Sequence, residues 1–305
     1  MLFRQIKTEV KNMKISCTPI SVSTAMNKKE LNQAQYFELI AAAGAEATDI
    51  VDPACYPWFY CDVEKDKTAL KPLLRANGLD IAAYATSNNF TVREPERFAM
   101  QTEKVMNAIH DAADMEIPLL RIFGGYHKSL SSEHQMDYAE GLQQIIRGIE
   151  TVLPEAEKLG VVLALENHGR LPGLPRELLY IMNCFNSENL GLCFDIANFT
   201  ANNMNEKADA IEAYSMLKKY IKHVHCKDWA NTPAGSPRPQ AACVCGKGNG
   251  NVPLRQLAYM MEDDGYTGYW ALEYEGPGVE GVTESLQYMK SLKEVSELIC
   301  GRIEK

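Results

Sequence analysis

The feature of this sequence that most limits its fold is an alternation of two kinds of segment, repeated eight times. A short apolar run typical of a buried strand is followed each time by a longer stretch with helical periodicity. The apolar runs lie at 13–18, 47–52, 79–86, 118–124, 161–168, 190–196, 221–227 and 269–275. The helical patterns lie near 29–43, 63–77, 95–115, 133–159, 175–185, 206–219, 253–264 and 281–299.

Strands that alternate with helices form a parallel sheet, and eight repeats favour closure into a (β/α)8 TIM barrel of the α/β class. An open, doubly wound sheet is the alternative, but it normally has fewer strands, and no GxGxxG motif follows the first strand. The 305 residues suit one barrel, and no linker or shift in composition divides them, which predicts one domain over 1–305. The least regular region is 228–252, predicted to be a long functional loop after the seventh strand.

Charge and composition exclude several classes of protein. A net charge of −9 provides no electrostatic surface for nucleic acid. No run of 18 apolar residues is present, which predicts that the chain does not span a membrane. The N-terminal sequence MLFRQIKTEVKNMK is too charged for a signal peptide, and the nine cysteines have no framework spacing. These features predict a cytoplasmic protein with a small-molecule partner.

Four polar side chains stand at or near the ends of four separate apolar runs: Glu166, Asp195, His225 and Glu273. Burying one carboxylate without a partner costs several kcal/mol. Because the carboxyl ends of barrel strands meet at one face, the four groups are predicted to share a divalent cation. Three carboxylates and one imidazole suit Mn²⁺, Mg²⁺ or Co²⁺, and Zn²⁺ is also compatible. Two structural alternatives stay open, since a single inward glutamate can be a paired structural charge and Asp195 can cap the following helix.

A cation in such a site can hold two neighbouring oxygens of a hydroxy-ketone and polarise its carbonyl. The adjacent C–H then becomes acidic enough for a carboxylate to remove, which gives a metal-stabilised enediolate. Glu166 and Glu273 come from the fifth and eighth strands and are predicted to flank the substrate. One carboxylate would remove a proton from one face, and the other would return a proton to the opposite face.

Alternation along a strand adds neighbours to this set, because residues two apart share a face. His168 shares a face with Glu166, and His223 and Lys227 share one with His225. His168 and Lys227 are predicted to bind substrate or assist proton transfer. The two histidines are also compatible with a polar strand end whose hydrogen bonds are satisfied internally.

Further candidates carry weaker signals. Arg121 ends the fourth strand and would either bind a substrate carboxylate or phosphate, or pair with a ligand carboxylate. The segment CGKGNGN is similar to a phosphate-cradling loop, although a turn or mobile lid explains it equally well. Trp58 and Phe59, after the second strand, would either wall a sugar-sized pocket or pack in the core.

Five segments resemble the sugar phosphate isomerase/epimerase superfamily, whose fold is a xylose isomerase-like barrel. They are LALENH, LGLCFDIANF, HVHCKDW, GKGNGNVP and GYTGYWALEYEG, and the resemblance covers nearly the whole chain. It implies that Glu166 and Glu273 are both metal ligands and the acid/base pair, and that Asp195 and His225 are ligands. Members include ketose 3-epimerases, hydroxypyruvate isomerase, inosose dehydratase, dehydroshikimate dehydratase and endonuclease IV. The resemblance therefore implies the fold and the metal site more narrowly than the substrate.

Departures from the family pattern narrow the reaction. Ketose 3-epimerases carry a substrate-binding histidine three residues after the aspartate, where this chain has Asn198. Endonuclease IV needs histidines on early strands, which here end in AAYATS and RIFGG. Lys227 resembles the lysine of inosose dehydratases, and His168 resembles an extra base of members that eliminate from 3-keto-glycosides.

These observations predict a metal-dependent isomerase or epimerase that acts on a keto-sugar or a keto-sugar derivative, with manganese as its ion. The alternative is a lyase of the same family, a dehydratase or a 3-keto-glycoside eliminase, and a non-catalytic barrel is a third reading. The predicted catalytic residues are Glu166, Glu273 and His168, and the predicted substrate-binding residues are Asn198, Lys227, Arg121 and His223. The sequence leaves open the sugar or polyol substrate, the metal and whether the chain forms a homo-oligomer.

Overall fold

Eight parallel strands close into a barrel, which confirms the predicted architecture. The computed structural model describes residues 13–125, 136–169, 171–200, 208–236 and 239–299. The strands of these residues are β1 (Lys14–Cys17), β2 (Ala47–Val51), β3 (Asp80–Ala85), β4 (Leu119–Phe123), β5 (Val162–Glu166), β6 (Leu190–Asp195), β7 (Ile221–Cys226), β8 (Asp228–Asn231), β9 (Gln240–Cys243) and β10 (Tyr269–Leu272). The barrel order is β1-β10-β7-β6-β5-β4-β3-β2, and β8 and β9 form a separate two-stranded sheet.

The α-helices follow the predicted pattern with two differences. Those of the described residues are α1 (Ser23–Asn27), α2 (Gln33–Ala42), α3 (Val63–Ala76), α4 (Pro95–Asp114), α5 (Tyr138–Leu159), α6 (Pro175–Asn183), α7 (Ile196–Thr200), α8 (Ala210–Leu217), α9 (Leu254–Asp263) and α10 (Glu280–Ile299). The helix predicted at 29–43 is α2, which begins at Gln33 because Asn32 caps it by accepting a hydrogen bond from the Gln35 backbone, and the short helix α1 before it was not predicted. The short helix α7 was not predicted, and the predicted start of the fourth helix at 133 lies outside the described residues. None of the described helices is long and apolar enough to cross a membrane.

Inward-facing side chains of the barrel are small on one level and polar on the next. Two residues before Glu166 and Asp195 come Ala164 and Cys193, which belong to a small apolar cluster separate from the main core. Outward residues such as Leu165 instead join the large apolar core. The small inward side chains leave space that longer polar side chains fill at the carboxyl end of the barrel.

Region 228–252 is more ordered than the sequence predicts, because it begins with the β8–β9 hairpin. The Asp228 carboxylate accepts hydrogen bonds from the backbone N–H groups of Trp229 at 2.9 Å, Val252 at 3.2 Å and Gly246 at 3.4 Å. The glycine-rich segment that is similar to a phosphate loop therefore surrounds a carboxylate of this chain.

Candidate metal centre

The four predicted ligands converge at the carboxyl end of the barrel. Glu166 ends β5, Asp195 ends β6, His225 lies in β7 and Glu273 directly follows β10. One potential ligand atom from each residue lies within 4.8 Å of the others. All four are buried, and Glu273 is the most exposed at 7%. Residues far apart in sequence meet here because parallel barrel strands end at the same face.

Four atoms of this cluster make no hydrogen bond within the described residues: Glu166 Oε2, Asp195 Oδ2 and both ring nitrogens of His225. Two of them face each other across the site. Glu166 Oε2 and His225 Nδ1 are buried and make no hydrogen bond within the described residues. They lie 3.6 Å apart, and Nδ1 lies 3.7 Å from Glu273 Oε1. A buried polar atom without a partner costs about 1–3 kcal/mol. A divalent cation would supply the missing partner, and three carboxylates with one imidazole are a donor set that such ions accept.

Asp195 serves two purposes, one with each carboxylate oxygen. Oδ1 accepts a hydrogen bond from the Asn198 backbone at 3.0 Å, so the helix-capping alternative holds for this oxygen. Oδ2 lies 2.8 Å from Lys227 Nζ, on the side of the cluster. The Asn167 side chain exchanges hydrogen bonds with the Asp195 backbone at 2.9 and 2.8 Å. These bonds fix the strand end, and with it the direction of the carboxylate.

Lys227 lies against the ligands as the chain's own cation. Its Nζ is 2.6 Å from Glu273 Oε2, 2.7 Å from Glu275 Oε1 and 2.8 Å from Asp195 Oδ2. Burial alone would lower the pKa of Lys227, but the attraction of Asp195, Glu273 and Glu275 raises it well above its usual value. The ammonium therefore stays charged and neutralises one side of the cluster.

Arg121 flanks the opposite side. Its Nε lies 3.3 Å from Glu166 Oε2, its Nη1 donates to Thr86 O at 2.8 Å, and its guanidinium stacks 4.0 Å from the Phe123 ring. Of its two predicted roles, pairing with a ligand carboxylate corresponds to a contact in the structure. His168 follows β5, and its ring also packs against Phe123, with the two ring centroids 4.4 Å apart. Burial lowers the pKa of His168, which keeps its ring neutral near neutral pH.

The electrostatics of the cluster favour an added cation. The pKa of Asp195 is raised to about 7, chiefly by burial. Repulsion from Glu273 and Glu166 raises it further, and together these effects outweigh the attraction of Lys227. Burial acts in the same direction on Glu166, but His225 and Arg121 hold its pKa below the usual range. One carboxylate is therefore incompletely balanced by the protein's own charges. A divalent ion would stabilise its charged form.

Asp49 is a buried carboxylate near the site that the sequence reasoning missed. Its Oδ2 lies 3.0 Å from Nε2 of His223, which was predicted to bind substrate, and 3.8 Å from Nε2 of His225. Reasoning from strand ends overlooked Asp49 because it lies in the middle of β2. The same signal, a carboxylate within the fully buried strand ATDIV, would have found it.

The aromatic residues after β2 divide between the core and the site. Phe59 is buried, and its ring centroid lies 6.0 Å from Tyr36 and 6.1 Å from Phe37, so it packs in the core. Trp58 is half-buried and contacts Tyr56 edge-on at 6.1 Å. The Tyr56 hydroxyl accepts a hydrogen bond from Arg121 Nη2 at 3.3 Å, which connects this loop to the site.

Comparison with known families identifies the barrel. The family model described as a xylose isomerase-like TIM barrel matches residues 37–292. This chain belongs to the xylose isomerase-like TIM barrel family. In sequence it is also 24% identical to an uncharacterized protein of Methanocaldococcus jannaschii. The aligned 226 residues cover 73% of this chain and 71% of that protein.

Solved structures of several activities share the fold. D-psicose 3-epimerase from Clostridium cellulolyticum H10, solved with D-tagatose, is 16% identical with a TM-score of 0.70, covering 93% of this chain and 99% of that one. A xylose isomerase-like protein from Mycobacterium smegmatis in complex with magnesium is 16% identical with a TM-score of 0.71, covering 93% and 97%. The probable 3-DHS dehydratase of petrobactin synthesis from Bacillus anthracis is 14% identical with a TM-score of 0.68, covering 92% and 99%. At these identities the likeness establishes the fold alone.

Proposed function

We propose that this xylose isomerase-like barrel is a divalent-metal-dependent isomerase or epimerase of a keto-sugar or keto-sugar derivative. The observation that carries the proposal is the meeting of Glu166, Asp195, His225 and Glu273, whose potential ligand atoms lie within 4.8 Å of one another. The fold that this chain shares with D-psicose 3-epimerase supports a reaction of this class.

The four residues would hold the ion, and Mn²⁺ is the proposed metal because three of the four donors are carboxylates. When bound, the ion would polarise the substrate carbonyl and offset the negative charge that develops on its oxygen. The magnesium complex of the Mycobacterium smegmatis protein supports an ion that prefers oxygen ligands.

Glu166 and Glu273 are the proposed acid/base pair. His225 and Arg121 hold the pKa of Glu166 below its usual value despite burial, and Lys227 and His225 do the same for Glu273. Either side chain can therefore act as the base at neutral pH, and the other would have to carry the proton that it returns to the opposite face of the substrate. They lie at the ends of β5 and β10, and β6 and β7 lie between these two strands in the barrel. Each carboxylate would therefore approach a substrate from its own side.

A lyase is the second candidate, and Lys227 is the observation that favours it. Its ammonium lies 2.6 Å from Glu273, where its positive charge would stabilise the negative charge that develops on a departing hydroxyl or aglycone oxygen. The shared fold of the 3-DHS dehydratase from Bacillus anthracis supports this alternative. Both reactions begin with removal of the same kind of proton, and they differ in whether a β-substituent leaves.

Exchange of substrate hydrogen with deuterated water tests the proposal. A screen of ketoses, inososes and 3-keto-glycosides, followed by NMR with Mn²⁺-loaded protein, should find a substrate whose C–H exchanges. Glu166→Gln and Glu273→Gln should each abolish this exchange. Release of water or aglycone during the same screen would identify the lyase instead.

A matched control separates loss of a catalytic carboxylate from loss of a buried one. Glu177 is buried outside the site, where its Oε2 accepts hydrogen bonds from Gly173 at 2.7 Å and Leu174 at 3.0 Å. Glu177→Gln should retain exchange. Exchange at full rate in both site variants would show that neither carboxylate moves the proton.

A further inference from the structure

Asp49 is a fully buried carboxylate that lies one level below the ligand cluster. Its Oδ2 is 3.0 Å from His223 Nε2, and its Oδ1 accepts a hydrogen bond from Ser16 Oγ at 3.1 Å. Ser16, Asp49 and His223 are each at most 1% exposed. Because His223 and Ser16 hold both oxygens, the carboxylate has a fixed orientation in the barrel interior.

His225 lies between Asp49 and the ligand cluster, with one ring nitrogen facing each. Nδ1 lies 3.6 Å from Glu166 Oε2 and 3.7 Å from Glu273 Oε1, while Nε2 lies 3.8 Å from Asp49 Oδ2. A histidine that binds a metal needs a lone pair on one nitrogen and a proton on the other. At 3.8 Å the Asp49 carboxylate makes no hydrogen bond with Nε2, but its negative charge favours the proton on that nitrogen, which leaves the lone pair on Nδ1.

The backbone adjusts at the same two places. The register between β2 and β3 shifts between Thr48 and Asp49, and the register between β6 and β7 shifts between Leu192 and Cys193. Cys193 is the residue that pairs with His223 after the shift. Bulges of this kind re-aim a side chain and are common beside functional sites. Both irregularities thus occur where Asp49 and His223 turn towards each other.

We propose that Asp49 is a positioning residue which, together with His223, orients His225 towards the metal ion. The inference rests on the metal-dependent function proposed above. It assigns His223 a role beneath the ligands, instead of the substrate contact that the sequence predicts.

The test compares ion affinity with stability in Asp49→Asn, which keeps the shape of the side chain and removes its charge. Titration calorimetry with MnCl₂ on chelator-stripped protein should give a Kd raised about 10–100-fold, the usual effect of losing such a partner. The visible spectrum of the Co²⁺-loaded variant should also differ from that of the wild type, because the imidazole ligand changes its orientation.

Thr48→Val is the matched control, since Thr48 is the adjacent buried residue of β2. Its hydroxyl contacts Tyr36 Oη at 2.9 Å and lies 3.0 Å from Cys17 O and 2.9 Å from the backbone O of Asp49, so it has no contact with the Asp49 carboxylate. This variant should unfold at a lower temperature but bind Mn²⁺ as the wild type does. Ser16→Ala gives a second route if Asp49→Asn does not fold, and it should weaken Mn²⁺ binding several-fold.

The outcomes are distinct. Wild-type Mn²⁺ affinity in a folded Asp49→Asn, or in Ser16→Ala if the former does not fold, overturns the positioning role and leaves the proposed function standing. A wild-type protein that binds no divalent ion after reloading overturns both. Two ions per wild-type chain, with one lost in Asp49→Asn, would make Asp49 a ligand itself and would also overturn the positioning role.

Discussion

Lys227 and a bound cation would neutralise the same carboxylates, so loss of Lys227 should make the protein depend more strongly on the cation. The Lys227 Nζ lies within 2.8 Å of Asp195, Glu273 and Glu275. Lys227→Met keeps most of the volume but leaves the carboxylates without their counterion, and breaking a buried pair costs about 3–5 kcal/mol. In the presence of a chelator, the variant should therefore unfold at a lower temperature. Added Mn²⁺ should raise its Tm by more than it raises that of the wild type.

Thermal denaturation of both proteins, with chelator and with Mn²⁺, measures the two effects. Lys218→Met is the control, because Lys218 pairs with Asp264 at 2.8 Å on the surface and exposed pairs contribute about 0–1 kcal/mol. It should change neither the Tm nor the Mn²⁺ response appreciably. If Mn²⁺ raised the Tm of Lys227→Met and of the wild type equally, Lys227 and the cation would not neutralise the same carboxylates.

The buried His168 ring should make the stability of the folded state depend on pH. Burial lowers the pKa of His168 below its ordinary value of 6.5. As the pH falls through this value, the unfolded chain takes up a proton that the folded chain does not, so the folded state loses stability. The buried, neutral His168 ring therefore does not reduce the stability of the folded state above about pH 6.5, and it reduces that stability increasingly below this pH. In chelator, the Tm of His168→Gln should fall less than that of the wild type between about pH 7 and 5.5, and parallel curves would contradict the assignment.

At the level of elements, the enclosed Asp228 carboxylate of β8 holds the glycine-rich segment 246–252 against the β8–β9 hairpin. A Cβ added at Gly250 would meet Asp228 Oδ2 at 1.9 Å. Gly250→Ala should therefore displace the carboxylate and lower the Tm, with a cost of about 1–3 kcal/mol, as for other overpacked sites. The same change in an Asp228→Ala background should cost much less, because the obstructing group is gone. Equal costs in the two backgrounds would place the strain elsewhere.

The sequence predicts the barrel elements well and the additions to them poorly. Apolar runs and helical stripes follow from burial on a local scale, so the eight barrel strands were found with only their ends misplaced. Strand β5, for example, ends at Glu166 and not at 168. The hairpin was missed because its strands have four residues each and lie among prolines and glycines. Their pairing is an antiparallel ladder from Asp228↔Cys243 to Asn231↔Gln240 that no periodicity records.

The same distinction holds for the whole molecule. Convergence of the four ligands was predictable, because parallel strands of a closed barrel all present their carboxyl ends at one face. The contact between Asp49 and His223 was not predictable in this way. It joins β2 to β7, which are separated in the sheet by β1 and β10, and it lies beside local register shifts in the β2–β3 and β6–β7 pairs that no periodicity predicts.

The position of the ligands in the barrel predicts what an ion does to the whole molecule. They lie on or after β5, β6, β7 and β10, which are consecutive in the sheet, so one ion would connect half of the barrel. At 100 times its Kd, an ion that binds only the folded state adds about 2.7 kcal/mol. For a chain of this size, with an unfolding entropy of about 2.1 cal/mol/K per residue, this corresponds to a rise in Tm of roughly 4 °C. Mn²⁺ should produce this rise in the wild type and not in Asp195→Asn. Amide exchange should slow more in β5, β6, β7 and β10 than in β2, β3 and β4, and uniform slowing around the barrel would show that the ion binds elsewhere.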